Sequence, residues 1–294
     1  MSTLVAILRP DFLLRDALVG SVLVGLVCPL VGAYFVLRRM IFLGVALPQL
    51  SAAGIAFAFL TFRMMVGPHE HGAVPERVLA MIGSFAFTLG GLIALAWLER
   101  GARETVEARI GLTYAVAAAL TILFLASDPY GEAQMVNLLK GDLLATTATS
   151  LRSTGFVLAA VVLVLAVFWK ELLLVSFDRE LALVFGKKVW VWDALLYLVM
   201  GVTISLGVTA AGPIVTFGFL VVPPMAARLV TRHMLTFSIA ASLLGGASAF
   251  FGFYLAYRAD LPLGPTQVAC AAIVLFVIAG STTLRRAVVR RSVA

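Results

Sequence analysis

Two of the chain's three histidines flank a glutamate, His69-Glu70-His71. Imidazoles are ordinary ligands for a transition metal, and a strand or turn could aim His69 and His71 at one ion. On that reading the triplet is a metal-collecting lip. The same residues also read as a solvated loop, because they sit in the polar stretch from Gly67 to Arg77. The third histidine, His233, stands beside Arg232 and reads as interfacial. Met64 and Met65 are soft ligands by type, but methionine in an apolar run usually packs. Cys28 and Cys270 both lie inside apolar runs, so no disulfide framework is expected. The middles of those runs carry almost no ionisable side chain, with Arg152 and Asp193 near run ends. Self-powered proton pumps carry such groups where the chemistry needs them. Sodium coupling through backbone carbonyls stays open. Gly186-Lys187 lacks the preceding glycine and the following Ser or Thr of a phosphate loop. Neither a His-Glu-x-x-His helix nor a Gly-x-Ser-x-Gly turn is present. With no cluster of acid, base and nucleophile, the chain reads as a solute-passing protein and not as an enzyme.

The elements that position these residues follow from composition. Of 294 residues 62% are hydrophobic and 13% charged, and mean hydropathy is +1.07. Repeated runs of about 20 apolar residues predict an all-α polytopic membrane protein of eight or nine transmembrane helices. The spans are expected near 17–37, 41–62, 78–98, 110–126, 151–175, 191–210, 214–227, 234–257 and 263–284. The run 214–227, after the Gly212-Pro213 break and containing Pro223-Pro224, crosses or re-enters. Met1 to Asp16 is too short and too interrupted by Arg9, Pro10, Asp11, Arg15 and Asp16 for a cleavable signal. The net charge of +7 fits basic cytoplasmic loops and not nucleic-acid binding. With Arg38-Arg39 inside and nine crossings, 15 Lys and Arg fall inside and 7 outside. That bias predicts an outside N-terminus and an inside C-terminus.

One short stretch between apolar runs is amphipathic instead. In Phe177–Lys188, Asp178 suits a helix N-cap, Glu180 the first turn and Gly186 the end, and Lys187 and Lys188 favour the C-terminal dipole. Phe177, Leu181, Val184 and Phe185 share a face at helical spacing. Roughly eight helical residues span about 12 Å, far short of a ~30 Å hydrocarbon core. Such a helix lies at a membrane surface, in the lipid interface or docked to a soluble partner. Breaks at Gly212-Pro213 and Pro223-Pro224 could turn backbone carbonyls toward a pathway, which is tolerated only away from lipid. Gly90-Gly91 and Gly245-Gly246 suit close helix packing.

Several motifs in chain order carry a resemblance. They are Arg38-Arg39-Met40, Leu43-Gly44, Gly54, Leu138-Leu139-Lys140-Gly141-Asp142-Leu143, Phe177-Asp178 with Leu181-Ala182 and Gly186, Gly212-Pro213-Ile214-Val215, Phe219 to Pro223, Ala226-Ala227-Arg228, and Leu261 to Pro265. Together they resemble the permease subunit of metal-type ABC importers for zinc, manganese or iron, across nearly the whole chain. The resemblance implies one permease domain over residues 1–294 in a bacterial inner membrane, paired with a second permease chain as a homodimer or heterodimer. It implies two ATPase subunits beneath, carrying ATP and Mg, and a periplasmic or lipid-anchored solute-binding protein above. This chain itself would bind no cofactor. By the resemblance residues 178–188 form the coupling helix, with Phe177, Asp178, Glu180, Leu181, Ala182, Phe185 and Gly186 facing or shaping the ATPase contact.

One departure bears on the solute. After Leu43-Gly44 the family commonly reads Asp-Ala-Leu-Ser-His, whose acid and imidazole share a helical face and are positioned to touch the passing metal. Here the residues are Val45-Ala46-Leu47-Pro48-Gln49. Two explanations compete: a metal ion on a low-affinity path lined by Gln49 and backbone, or a bulkier metal chelate suited to a neutral pocket. Pro48 removes a helical hydrogen bond and is expected to kink this span. The expected pathway residues are Val45, Pro48, Gln49, Gly212 and Pro213. A stand-alone channel or secondary carrier is the alternative class.

Overall fold

The structure, a computed structural model, describes residues 14–66, 76–98, 106–128 and 148–293. Among them all regular secondary structure is helical. The helices are α1 (Arg15–Leu37), α2 (Leu43–Val66), α3 (Glu76–Leu98), α4 (Val106–Ala126), α5 (Ala148–Val167), α6 (Trp169–Phe177), α7 (Arg179–Val184), α8 (Val189–Ala211), α9 (Pro213–Val230), α10 (Met234–Ala259) and α11 (Leu263–Val293). Eight are long and apolar enough to cross a membrane, and the bent pair α5–α6 makes a ninth if it counts as one span. A helix closes its own backbone hydrogen bonds, which is why long apolar runs take this form in lipid.

The span expected over 151–175 is bent. The chain bends by 70° at Phe168, between α5 and α6. The 20 residues of α5 already reach about 30 Å, the thickness of the hydrocarbon core. Lys170 and Glu171 follow at once and belong in an interface. Helix α6 turns aside, burying Leu172 and Val175 and leaving Lys170 exposed. The segment over 214–227 is also resolved: α9 is a continuous 18-residue helix that runs through Pro223-Pro224.

Helix α1 is the centre, packed against α5, α8, α9 and α10, while α2, α3 and α4 form a second group bridged to it by α8 and α9. Two prolines shape this centre. Pro29 has no N–H for the carbonyl of Gly25, and Pro224 has none for that of Leu220. Each freed carbonyl meets a glycine on a neighbouring helix. A Cβ at Gly245 would stand 2.2 Å from the Gly25 oxygen, and one at Gly32 would stand 1.9 Å from the Leu220 oxygen. Bare Cα hydrogens can approach these oxygens where a side chain cannot.

The bundle has two distinct ends. At one, the C-terminus of α1, the turn from α9 to α10, and helices α6 and α7 surround a common cavity. At the other, Arg63 of α2 pairs with the buried Asp128 just after α4, and Arg77 of α3 donates to Thr154 of α5 at 2.9 Å. Arg38, Lys170, Arg179, Arg228 and Arg232 gather at the first end, and Arg63 and Arg77 at the second. These seven residues fall at the two ends as the count of basic residues divides them.

Candidate coupling site and solute path

Helix α7 is six residues long and locally specified at both ends. Asp178 is extended and its carboxylate accepts from the Leu181 N–H at 2.9 Å. At the C-terminus Gly186 has φ +70°, its N–H reaches the Leu183 carbonyl at 2.9 Å, and the Lys187 N–H reaches the Ala182 carbonyl at 3.0 Å. This pair of bonds is a Schellman closure, which glycine permits at no steric cost. The helix is shorter than the 178–188 expected from the sequence, because the Schellman turn ends it at Val184 and Lys187-Lys188 lead into α8.

The apolar stripe points away from the bundle. Phe177 is 80% exposed, Val184 82% and Phe185 65%, and Leu181 and Leu183 are exposed too. Ala182 is the one buried residue of α7, seated between Val175 of α6 and Val189 of α8. Cavities flank the helix. One of 670 Å³ lies between α7 and the α9–α10 turn, lined in part by Leu181, Phe177 and Phe237 with Lys170, Arg228 and Arg232. One of 1180 Å³ lies between α7, α3 and α8, lined in part by Leu183, Trp190 and Leu92 with Lys187 and Lys188.

Five charged side chains tie this region together. Asp193, in the first turns of α8, pairs through Oδ1 with Arg38 Nη2 at 2.8 Å and through Oδ2 with Arg179 Nη2 at 2.5 Å. Arg38 also donates from Nε to Ser176 Oγ at 3.1 Å and stacks 5.8 Å from the Tyr197 ring centre. Lys187 pairs with Glu171 at 3.7 Å and lies 5.8 Å from the Trp192 ring centre. Sequence reasoning placed Asp193 near a span end and gave it no role. The available signal was a lone carboxylate inside an apolar run, which needs a partner.

The expected pathway residues are spread over α2 and the α8–α9 break. Val45 and Gln49 are half-buried on α2, and Gln49 Nε2 donates to Thr121 Oγ1 of α4 at 3.5 Å. Pro48 is buried, and α2 runs through it as one helix. Gly212 and Pro213 are buried between α8 and α9. The Gly212 carbonyl accepts from Thr216 N at 3.1 Å and Thr216 Oγ1 at 2.8 Å, so its lone pairs are engaged within α9. Further polar groups line the interior: Ser51 of α2 and Ser84 of α3 share a hydrogen bond of 2.5 Å, both fully buried. His69, His71 and Asp142 lie outside the described residues. Among the described residues no three His, Cys, Asp or Glu side chains come together to hold a metal.

The geometry is that of a bundle of membrane-length helices with one short helix whose apolar side chains are exposed at one end. The ABC 3 transport family matches residues 11–281. The manganese transport system membrane protein MntC of Listeria monocytogenes is 26% identical, over 90% of this chain and 89% of its own length. A Haemophilus influenzae protein named "Probable iron transport system membrane protein" is 25% identical, over 92% of this chain and 89% of its own. The solved structure of PsaBC from Streptococcus pneumoniae in complex with Fab has the same fold, with a TM-score of 0.77, 24% identity and 92% of each chain covered. The chain belongs to the ABC 3 transport family.

Proposed function

We propose that this multi-pass chain is the permease subunit of an ATP-driven importer for a divalent transition metal, with manganese or iron the foremost substrates. Family membership supports the transport role, and the names of the relatives support the metal. The observation that carries the mechanism is α7: a capped helix, too short to span, whose apolar side chains face outward at one end of the bundle. Such a face fits a groove on a separate ATPase as helix-in-groove contacts do. ATP and Mg2+ would reside on that ATPase, which closes and drives the permeases between access states. A second permease chain completes the pathway, and a solute-binding protein delivers the metal from the opposite end. The membrane is the bacterial inner membrane, with α7 in the cytoplasm.

Within the bundle the metal would pass Val45, Pro48 and Gln49, with Gly212 and Pro213 shaping the path at the α8–α9 break. A neutral lining with an amide and hydroxyl oxygens suits weak, transient contact with a hard cation, which must enter and also leave. The same neutrality favours a second reading in which the solute is a metal chelate: no acid or imidazole stands at 45 or 49 to compete with a chelator. Uptake by proteoliposomes holding the assembled transporter separates the readings. Saturable uptake of free manganese or iron(II) supports the ion. Uptake that requires an added chelator supports the chelate, and ATP-independent uptake by the chain alone contradicts both.

A further inference from the structure

We infer that Asp193 is the joint through which movement of α7 reaches the central helix α1, so that Asp193 is a positioning residue for transport and not only a structural acid. The inference rests on the reading of α7 as the ATPase-facing helix. Covalently α7 is linked to α6 and α8, and its buried grip on them is the single methyl of Ala182. A force on so small a contact can slide the helix as easily as carry its neighbours. Arg179 adds a directed link, since its guanidinium holds one oxygen of Asp193 on α8. The other oxygen holds Arg38, just past the C-terminus of α1. Asp193 thus accepts a hydrogen bond from Arg179 at one oxygen and makes a charge contact with Arg38 at the other.

The two arms differ in a way that suits a joint. The Arg38 and Asp193 side chains are only 8% and 10% exposed, and Arg38 is further held by Ser176 and the Tyr197 ring. Breaking this inner arm would leave a buried charge without its counter-ion, which is strongly opposed. The Arg179 side chain is 61% exposed, so water can solvate it when it leaves, while Asp193, itself 10% exposed, keeps the Arg38 charge beside it. The inner arm therefore behaves as a fixed link between α1 and α8, and the outer arm as a catch that opens and closes. With the catch closed, α7, α8 and α1 move as one, and α1 packs on α5, α9 and α10. With it open, the remaining side-chain link from this region to the end of α1 is Ser176 of α6 on Arg38, and α7 pulls on α1 less directly.

The test uses the purified complex of this chain with its ATPase and binding protein in proteoliposomes, with manganese as the probe. ATP hydrolysis and manganese uptake are measured together. Asp193→Asn should retain the ATPase in the wild-type ratio and continue to hydrolyse ATP, while manganese taken up per ATP falls about tenfold. Asp193→Glu should recover most of that loss, as a restored charge would and a packing repair would not. Arg179→Gln opens only the exposed arm and should lower uptake per ATP in the same direction, so it decides the matter if Asp193→Asn does not fold. Wild-type uptake per ATP in Arg179→Gln overturns the inference, and so does loss of the ATPase from that variant, which would assign Arg179 to the subunit contact. If the wild-type chain itself binds no ATPase, the docking reading fails instead, and the two failures are distinct.

Discussion

Helices α7 and α9 both follow an abrupt break, at Asp178 and at Gly212, and both are rich in apolar residues, yet they are used in opposite ways. Helix α9 is sunk in the bundle, with Phe219 and Leu220 fully buried and a proline-freed carbonyl resting on Gly32. Helix α7 buries one alanine and turns four large apolar side chains, Leu181, Leu183, Val184 and Phe185, outward. Local chemistry alone does not separate them, since each begins at a residue that ends the preceding helix. The difference is length against membrane thickness and the presence of charge. Eighteen residues without an acid can cross or nearly cross, whereas six residues opening on Arg179-Glu180 cannot. An apolar face that can neither cross nor find the core is left for another surface.

The sharpest way to break the α9 half of this contrast is Gly32→Val. Its Cβ would fall 1.9 Å from the Leu220 carbonyl oxygen, which is backbone and cannot swing away. We expect destabilisation of about 3 kcal/mol or more, read as loss of monodisperse protein in detergent. On the α7 side, Leu181→Arg should leave the chain folded in the membrane while ATP-driven uptake falls by more than about tenfold, because a charge would replace a central apolar contact. Normal uptake by that variant would remove α7 from the coupling path. A finer probe is Asp178→Ala, which deletes the hydrogen bond to Leu181 N and should cost α7 about 1 kcal/mol. ATPase titration should then show an affinity lowered about fivefold, and Asp178→Asn should largely restore it. The smallest effect is expected in the solute path, where Gln49→Leu should raise half-saturating manganese about threefold without changing ATPase binding. Unchanged affinity and rate would show that Gln49 does not touch the solute.

Much of the fold was legible because lipid imposes one rule, and apolar runs of the right length satisfy it. The N-cap at Asp178 and the left-handed Gly186 were legible for the same reason in miniature: few residue types suit those positions. The bend at Phe168 was not, since neither proline nor glycine marks it and the apolar run continues to Val175. The only clue was Lys170-Glu171, which reads equally well as a span end. The paired glycines were legible in part. Gly245, Gly246 and Gly91 do meet neighbouring helices closely, but Gly90 faces open space, because one residue along a helix turns the position by about 100°. The charge joint was illegible for a different reason. Arg38 just past α1, Arg179 on α7 and Asp193 on α8 come from three separate places in the chain, and nothing in their spacing announces that they converge. Likewise the engagement of the Gly212 carbonyl by Thr216 depends on the turn that the glycine makes, which its neighbours in sequence leave open.

The most direct test of α7 as the docking helix is purification of this chain from its own host in mild detergent, with mass spectrometry of what accompanies it. An ABC ATPase in stoichiometric amount is the predicted result. The chain recovered alone, while ATPases remain detectable in the same membranes, would contradict it and return the protein to the class of self-contained carriers or channels.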